Sequence, residues 1–119
     1  MEKRFWINFL VILGVLIIAA IILIQPSKSN PNNNENSSEL ELLSKCLGEK
    51  TTLYVQLGCH ACEIQEEMFG NYVDNLNIVD CWEEREKCGE ITATPSWLIN
   101  GEVYKGVQSI ENLKILADC

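Results

Sequence analysis

From Phe5 to Ile24 the chain runs twenty residues with only Asn8 and Gly14 outside the apolar set. At ~1.5 Å rise per residue a helix of that length covers about 30 Å, the thickness of a bilayer's hydrocarbon. Residues 25–38, QPSKSNPNNNENSS, hold no apolar residue and predict a polar tether. Beyond it the pattern is that of a folded domain, residues 39–119. Ser38 opens a short helix with Leu40, Leu43 and Leu47 on one face and Gly48 as its stop; Thr51 to Leu57 is a buried strand. Residues 60–69 form a helix stopped at Gly70, Leu76 to Cys81 a second strand, and Glu83 to Glu90 a short charged helix. Ser96–Ile99 and Glu102–Tyr104 flank Asn100-Gly101, a strong two-residue hairpin signal because both positions accept positive φ. Ser109 opens a last helix with Ile110, Leu113 and Leu116 inward.

A helical crossover of about eighteen residues joins the first two strands, which are therefore parallel, whereas the last two form an antiparallel hairpin. The expected architecture is α/β: one mixed four-stranded sheet flanked by helices, preceded by one transmembrane helix.

The charge is uneven. The whole chain carries −8, but from Glu35 onward 16 Asp and Glu stand against 6 Lys and Arg. That excludes a nucleic-acid binder acting by phosphate neutralisation. Lys3 and Arg4 precede the apolar run and Lys28 alone follows closely, which orients residues 1–4 to the cytoplasm and the domain outward. A cleaved signal peptide is the competing reading; its apolar core normally has about 7 to 15 residues and a small-x-small site, where this chain has Ile-Leu-Ile-Gln-Pro. Either way the domain is exported, where disulfides persist.

Cys59-His60-Ala61-Cys62 directly follows the first strand and opens the next helix. Free backbone N–H groups and the positive end of the helix dipole stabilise a thiolate there, the attacking species in disulfide exchange. Cys59 is the expected nucleophile. Cys62, one turn along and inward, resolves the mixed disulfide. His60, if charged, favours the thiolate and makes the pair more oxidising. A structural disulfide or half of a metal site would use the same residues, but zinc wants four ligands and His60 is the only histidine. No metal or other cofactor is therefore expected. With this motif between strand and helix, the architecture is that of a minimal thioredoxin fold. Thr94-Pro95, just before the strand beside the motif, then stands where such folds keep a cis peptide. The Thr94 backbone would face Cys59 and pair with an extended substrate segment.

The run Cys62-Glu-Ile-Gln65-Glu-Glu-Met-Phe69-Gly70, with Pro95-Ser-Trp97-Leu-Ile99-Asn100-Gly101-Glu-Val-Tyr104-Lys-Gly106-Val-Gln108-Ser109-Ile110, resembles the thioredoxin-like domain fused to, or encoded near, prokaryotic vitamin K epoxide reductase homologues. The likeness covers about residues 45 to 117. It implies that Cys59 and Cys62 are the redox pair and Pro95 the cis-proline. It further implies that the domain exchanges disulfides with exported cysteine-containing proteins while a quinone-linked membrane protein reoxidises it, here in trans. The family usually has an aromatic before the first cysteine and Pro-His inside the motif; this chain has Gly58 and His60-Ala61. No acid stands in the first strand, where cytosolic thioredoxins keep a buried proton-relay carboxylate.

Cys46, Cys81, Cys88 and Cys119 allow three pairings. The resembling family has a pair near Cys81 and Cys88, which implies Cys81–Cys88 and leaves Cys46–Cys119. Parallel strands would set Cys59 and Cys81 at one sheet end, making Cys81–Cys88 a candidate electron relay. The reading is a thiol-disulfide oxidoreductase anchored in the cytoplasmic membrane through residues 5–24. The alternatives are a reductase fed by a transmembrane donor, and a non-enzymatic disulfide-stapled binding or metal-carrying module.

Overall fold

The structure, a computed structural model, describes residues 2–23 and 31–119. The chain divides at Pro31 into two units. The first is helix α1, Glu2–Leu23, long and apolar enough to cross a membrane; a signal sequence passes the same test. Ile24 and the tether's residues 25–30 lie outside the described residues.

The second unit begins differently from the expectation. Helix α2 spans Pro31–Lys50, so residues 31–38 are helical rather than part of a tether, and Gly48 is inside the helix rather than at its end. Proline suits a first helical turn, where its missing N–H has no partner to lose. Tertiary contacts then outweigh the polar composition. Ser37 Oγ shares a hydrogen bond of 2.6 Å with Tyr72 Oη, and Lys114 pairs with Glu39. Gly48 is required for a different reason from termination. A Cβ there would stand 1.9 Å from the Asn75 carbonyl oxygen, so the glycine admits the close approach of a neighbouring backbone. Gly48→Ala would gain about 1 kcal/mol in helix propensity, but overpacking against backbone costs up to about 3 kcal/mol. We expect a net loss of about 2 kcal/mol, read by chemical denaturation; an unchanged midpoint would refute the steric account.

Strand β1, Thr51–Val55, follows without a break, and its burial alternates: Thr51, Leu53 and Val55 are inward. Helix α3 is His60–Glu67, shorter than the expected 60–69. After it come a 3-10 turn at Gly70–Asn75 and strand β2, Ile78–Asp80. The expected helix over residues 83–90 is only a 3-10 turn, Arg85–Cys88, because its charged sequence has no apolar face to bury and the Cys81–Cys88 disulfide closes it tightly. Strands β3, Ser96–Ile99, and β4, Glu102–Lys105, join through Asn100 and Gly101, both at positive φ. Helix α4, Ile110–Ala117, is capped by Ser109, whose Oγ accepts from the Asn112 N–H at 3.2 Å.

The sheet order is β2-β1-β3-β4, with β1 parallel to β2 and antiparallel to β3, and β3 antiparallel to β4. This is the mixed four-stranded α/β sheet expected from the sequence. Leu43 and Leu47 of α2, Leu53 and Val55 of β1, Phe69, Trp97, Ile99 and Leu113 form one core. Trp97 and Phe69 are fully buried, their ring centroids 6.1 Å apart.

Candidate active site

The central strand β1 delivers the chain to the C-terminal edge of the sheet, where it must turn sharply into α3. Gly58 takes φ +79°, open to glycine at no steric cost, and the Cys59 N–H bonds the Gln56 carbonyl at 3.1 Å. Cys59 is thereby the N-cap of α3. Its Sγ accepts from the Cys62 N–H at 3.2 Å, and its carbonyl accepts from the amides of Cys62 and Glu63. In the dithiol form the same amide and helix end favour a thiolate on Cys59. Cys59 is partly exposed and Cys62 buried, and the two are joined as a disulfide. One sulfur can thus be reached from outside while the other waits behind it.

The Thr94–Pro95 peptide is cis, and the Thr94 carbonyl oxygen lies 3.5 Å from Cys59 Sγ. Ser96 Oγ donates to the Ala93 carbonyl at 2.6 Å, and the Gly106 N–H to the Pro95 carbonyl at 2.8 Å, which fixes this loop from both sides. The structure therefore brings Cys59, Cys62, Thr94 and Pro95 together. His60 joins them less closely. Its side chain is 83% exposed and its Nδ1 stands 3.3 Å from Glu63 Oε2, so an adjacent carboxylate offsets whatever positive charge it offers the sulfur.

The other cysteines pair as Cys46–Cys119 and Cys81–Cys88. Cys81 continues the parallel ladder, its N–H bonding the Val55 carbonyl at 2.8 Å, at the same sheet end as the motif. Next to it Trp82 is 53% exposed, with the Arg85 guanidinium 5.1 Å from its ring centroid; Leu57, at the end of the β1 turn, is 72% exposed. Among the described residues no group of three or more His, Cys, Asp or Glu is arranged to hold a metal.

Two residues of the neighbourhood have roles that the sequence does not disclose. Gln65 is fully buried on α3: its Oε1 accepts from Trp97 Nε1 at 3.1 Å and from the Gln108 N–H at 2.7 Å, and its Nε2 donates to the Gln108 carbonyl at 3.1 Å. One amide thus locks the active-site helix to β3 and to the loop before α4. Glu66 is half-buried one turn beyond Cys62. Burial first, then the nearby carboxylates of Glu63 and Asp80, hold its carboxyl above the ordinary glutamic-acid range.

No protein-family model matches this chain. Among solved structures it is similar to the NTD_N/C domain of alkylhydroperoxide reductase AhpF from Enterococcus faecalis, with 23% sequence identity and a TM-score of 0.42. The match covers 64% of this chain and 43% of that one, so the chain spans less than half the length of that structure.

Proposed function

We propose that this protein is a membrane-anchored thiol-disulfide oxidoreductase whose domain works outside the cytoplasmic membrane, oxidising or isomerising cysteines of exported proteins. The observation that carries the reading is the Cys59–Cys62 disulfide at the N-terminus of α3, with the outer sulfur partly exposed, the inner one buried, and a backbone carbonyl of the Thr94–Pro95 loop beside it. Substrate thiolate attacks Cys59 Sγ, Cys62 leaves, and the substrate's second thiolate breaks the mixed disulfide, leaving the substrate oxidised and the protein a dithiol.

Helix α1, with Lys3 and Arg4 ahead of its apolar run, supports the anchored topology, and three disulfides in one small domain suit an oxidising compartment. The dithiol must pass two electrons on before another turnover. We assign that step to a vitamin K epoxide reductase-like membrane protein acting in trans, on the resemblance carried by the string from Pro95 to Ile110. Equilibration of Cys59 and Cys62 with glutathione buffers tests the direction of flow. We expect a potential well above thioredoxin's, which is about −270 mV. A value at or below that figure would make the protein a reductase supplied by a transmembrane donor.

A further inference from the structure

Gln65 lies one turn beyond Cys62 on α3, among Glu63, Glu66 and Glu67, and is nevertheless fully buried. A side-chain amide offers two acceptor positions and two N–H donors. Gln65 uses all of them: Oε1 accepts from Trp97 Nε1 and from the Gln108 N–H, while Nε2 donates to the Gln108 carbonyl at 3.1 Å and to Met68 Sδ at 3.4 Å. Two of these partners belong to the segments that hold the cis peptide. Trp97 stands two residues after Pro95 on β3, and Gln108 two residues after Gly106, whose N–H bonds the Pro95 carbonyl at 2.8 Å. Gln65 thus joins the helix that begins beside Cys59 to both segments that flank the loop, whose Thr94 carbonyl lies 3.5 Å from Cys59 Sγ.

Apolar packing alone would hold this register less firmly. Cys62, Phe69 and Trp97 share one core cluster, but hydrophobic burial is non-directional. Hydrogen bonds weaken steeply as their angles depart from linear, and a buried amide that loses one leaves an unpaired donor or acceptor in a dry interior. A slip of α3 would break the bonds to Trp97 and to Gln108 together. It would also carry Cys59 Sγ away from the Thr94 carbonyl. A cysteine within an extended polypeptide has to meet both at once, with its sulfur in line with the Cys59–Cys62 bond and its backbone beside Thr94. A small dithiol has only the sulfur to meet.

We propose that Gln65 is a positioning residue: by fixing α3 against the Thr94–Pro95 loop, its amide gives Cys59 a preference for cysteines carried in polypeptides over small thiols. The proposal rests on the reading of Cys59 and Cys62 as a pair that turns over. Gln65 touches no reacting atom. In the favoured reaction one peptide thiolate attacks Cys59 Sγ and the Cys59–Cys62 bond breaks. The second peptide thiolate then closes the peptide disulfide and releases Cys59. The peptide has lost two electrons, and the protein has gained them as a dithiol.

The test uses the oxidised full chain in detergent micelles, mixed with an unstructured peptide containing two cysteines or with dithiothreitol. Acid quenching, alkylation and mass spectrometry follow reduction of the Cys59–Cys62 bond. Each rate is divided by that of the same dithiol with hydroxyethyl disulfide, which removes differences in thiol reactivity and ionisation. Wild type should prefer the peptide. In Gln65→Leu the peptide rate should fall about 100-fold and the dithiothreitol rate less than about threefold, as a misplacement of about 1 Å predicts. Gln65→Glu provides the rescue. Burial favours its neutral form, and at pH 5 the neutral acid can accept from Trp97 and the Gln108 N–H while donating to the Gln108 carbonyl. At pH 8 the ionised form has no donor for that carbonyl. This variant should keep the wild-type preference at pH 5 and lose it at pH 8, and it decides alone if Gln65→Leu does not fold. Gly48→Ala, destabilised through the Asn75 contact instead, should keep the preference throughout. An unchanged preference in Gln65→Leu, equal losses toward both dithiols, or a preference in Gln65→Glu that ignores pH would overturn the proposal. So would fast wild-type reactions without any preference. If wild type reacts no faster than hydroxyethyl disulfide with either dithiol, the redox reading itself falls.

Discussion

Replacing Cys59 by alanine is expected to lower the rate of disulfide exchange with reduced, unfolded substrate proteins on the order of 10³-fold or more, as removal of a nucleophile does elsewhere. The expectation follows from geometry. Cys59 alone combines partial exposure with the helix N-terminus, and the Cys62 N–H already points at its sulfur. Cys62 is 3% exposed and cannot meet a protein substrate in its place. Breaking a disulfide that closes only three residues removes little loop entropy, so the fold should persist. Refolding assays on wild type and Cys59→Ala, with circular dichroism as the check on folding, decide the matter. Equal rates would reduce the motif to a structural staple. Cys62→Ala leaves Cys59 as a lone thiol, which cannot oxidise a reduced substrate. It should attack a substrate disulfide, release one substrate thiolate and then hold the substrate as a mixed disulfide that can be isolated and identified.

How far such a site can be read from sequence depends on how local its geometry is. The turn that presents Cys59 is written within one short stretch, Thr51 to His60: a strand, Gly58 at positive φ, and a helix start. Likewise Asn100-Gly101 announces the β3–β4 hairpin, because two adjacent residues suffice to make the turn. Gly48 misled for the complementary reason. Its partner, the Asn75 carbonyl, is 27 positions away in sequence, so a glycine required by close approach looked like one that ends a helix. Residues 31–38 misled in the same way, since their polar run becomes helical where Ser37 meets Tyr72 and the next turn's Glu39 pairs with Lys114. Gln65 stands in the run from Cys62 to Gly70, but its role could not be read there. A glutamine among charged residues on a short helix looks solvent-facing until Trp97 and Gln108 are seen to converge on its amide. That convergence gives Trp97 a physical role beside the Pro95 loop: its indole and the backbone of residue 108 meet on Gln65 and hold α3 against β3.

Changing Cys46 and Cys119 together to serine is expected to have the largest effect on stability. Their disulfide ties α2 to Cys119, just beyond the C-cap of α4, across a sequence separation of 73. In the chain-entropy account, closing a loop of that length stabilises by about 4 kcal/mol, a large share of the roughly 5–15 kcal/mol that holds a domain folded. Other ties between the same elements do not replace it. Lys50 Nζ donates to the Asp118 carbonyl at 2.8 Å, and Lys114 pairs with Glu39 at the surface. The Lys114 hydrogen bond and charge hold the Glu39 carboxyl below its ordinary range, so that tie is present above about pH 4.5 and is lost as pH falls through the lowered value. Exposed pairs are also screened by salt. Thermal melts of the full chain at pH 7 should therefore show the double variant about 20 °C below wild type, with a further acid sensitivity as Glu39 is protonated. A drop of less than about 5 °C would instead mean that contacts of α2 with α4 already restrict the unfolded chain. At temperatures below both transitions the double variant should exchange disulfides at the wild-type rate, because neither residue contacts Cys59 or Cys62. A parallel loss of exchange there would place Cys46 and Cys119 in the electron path rather than in the frame that carries it.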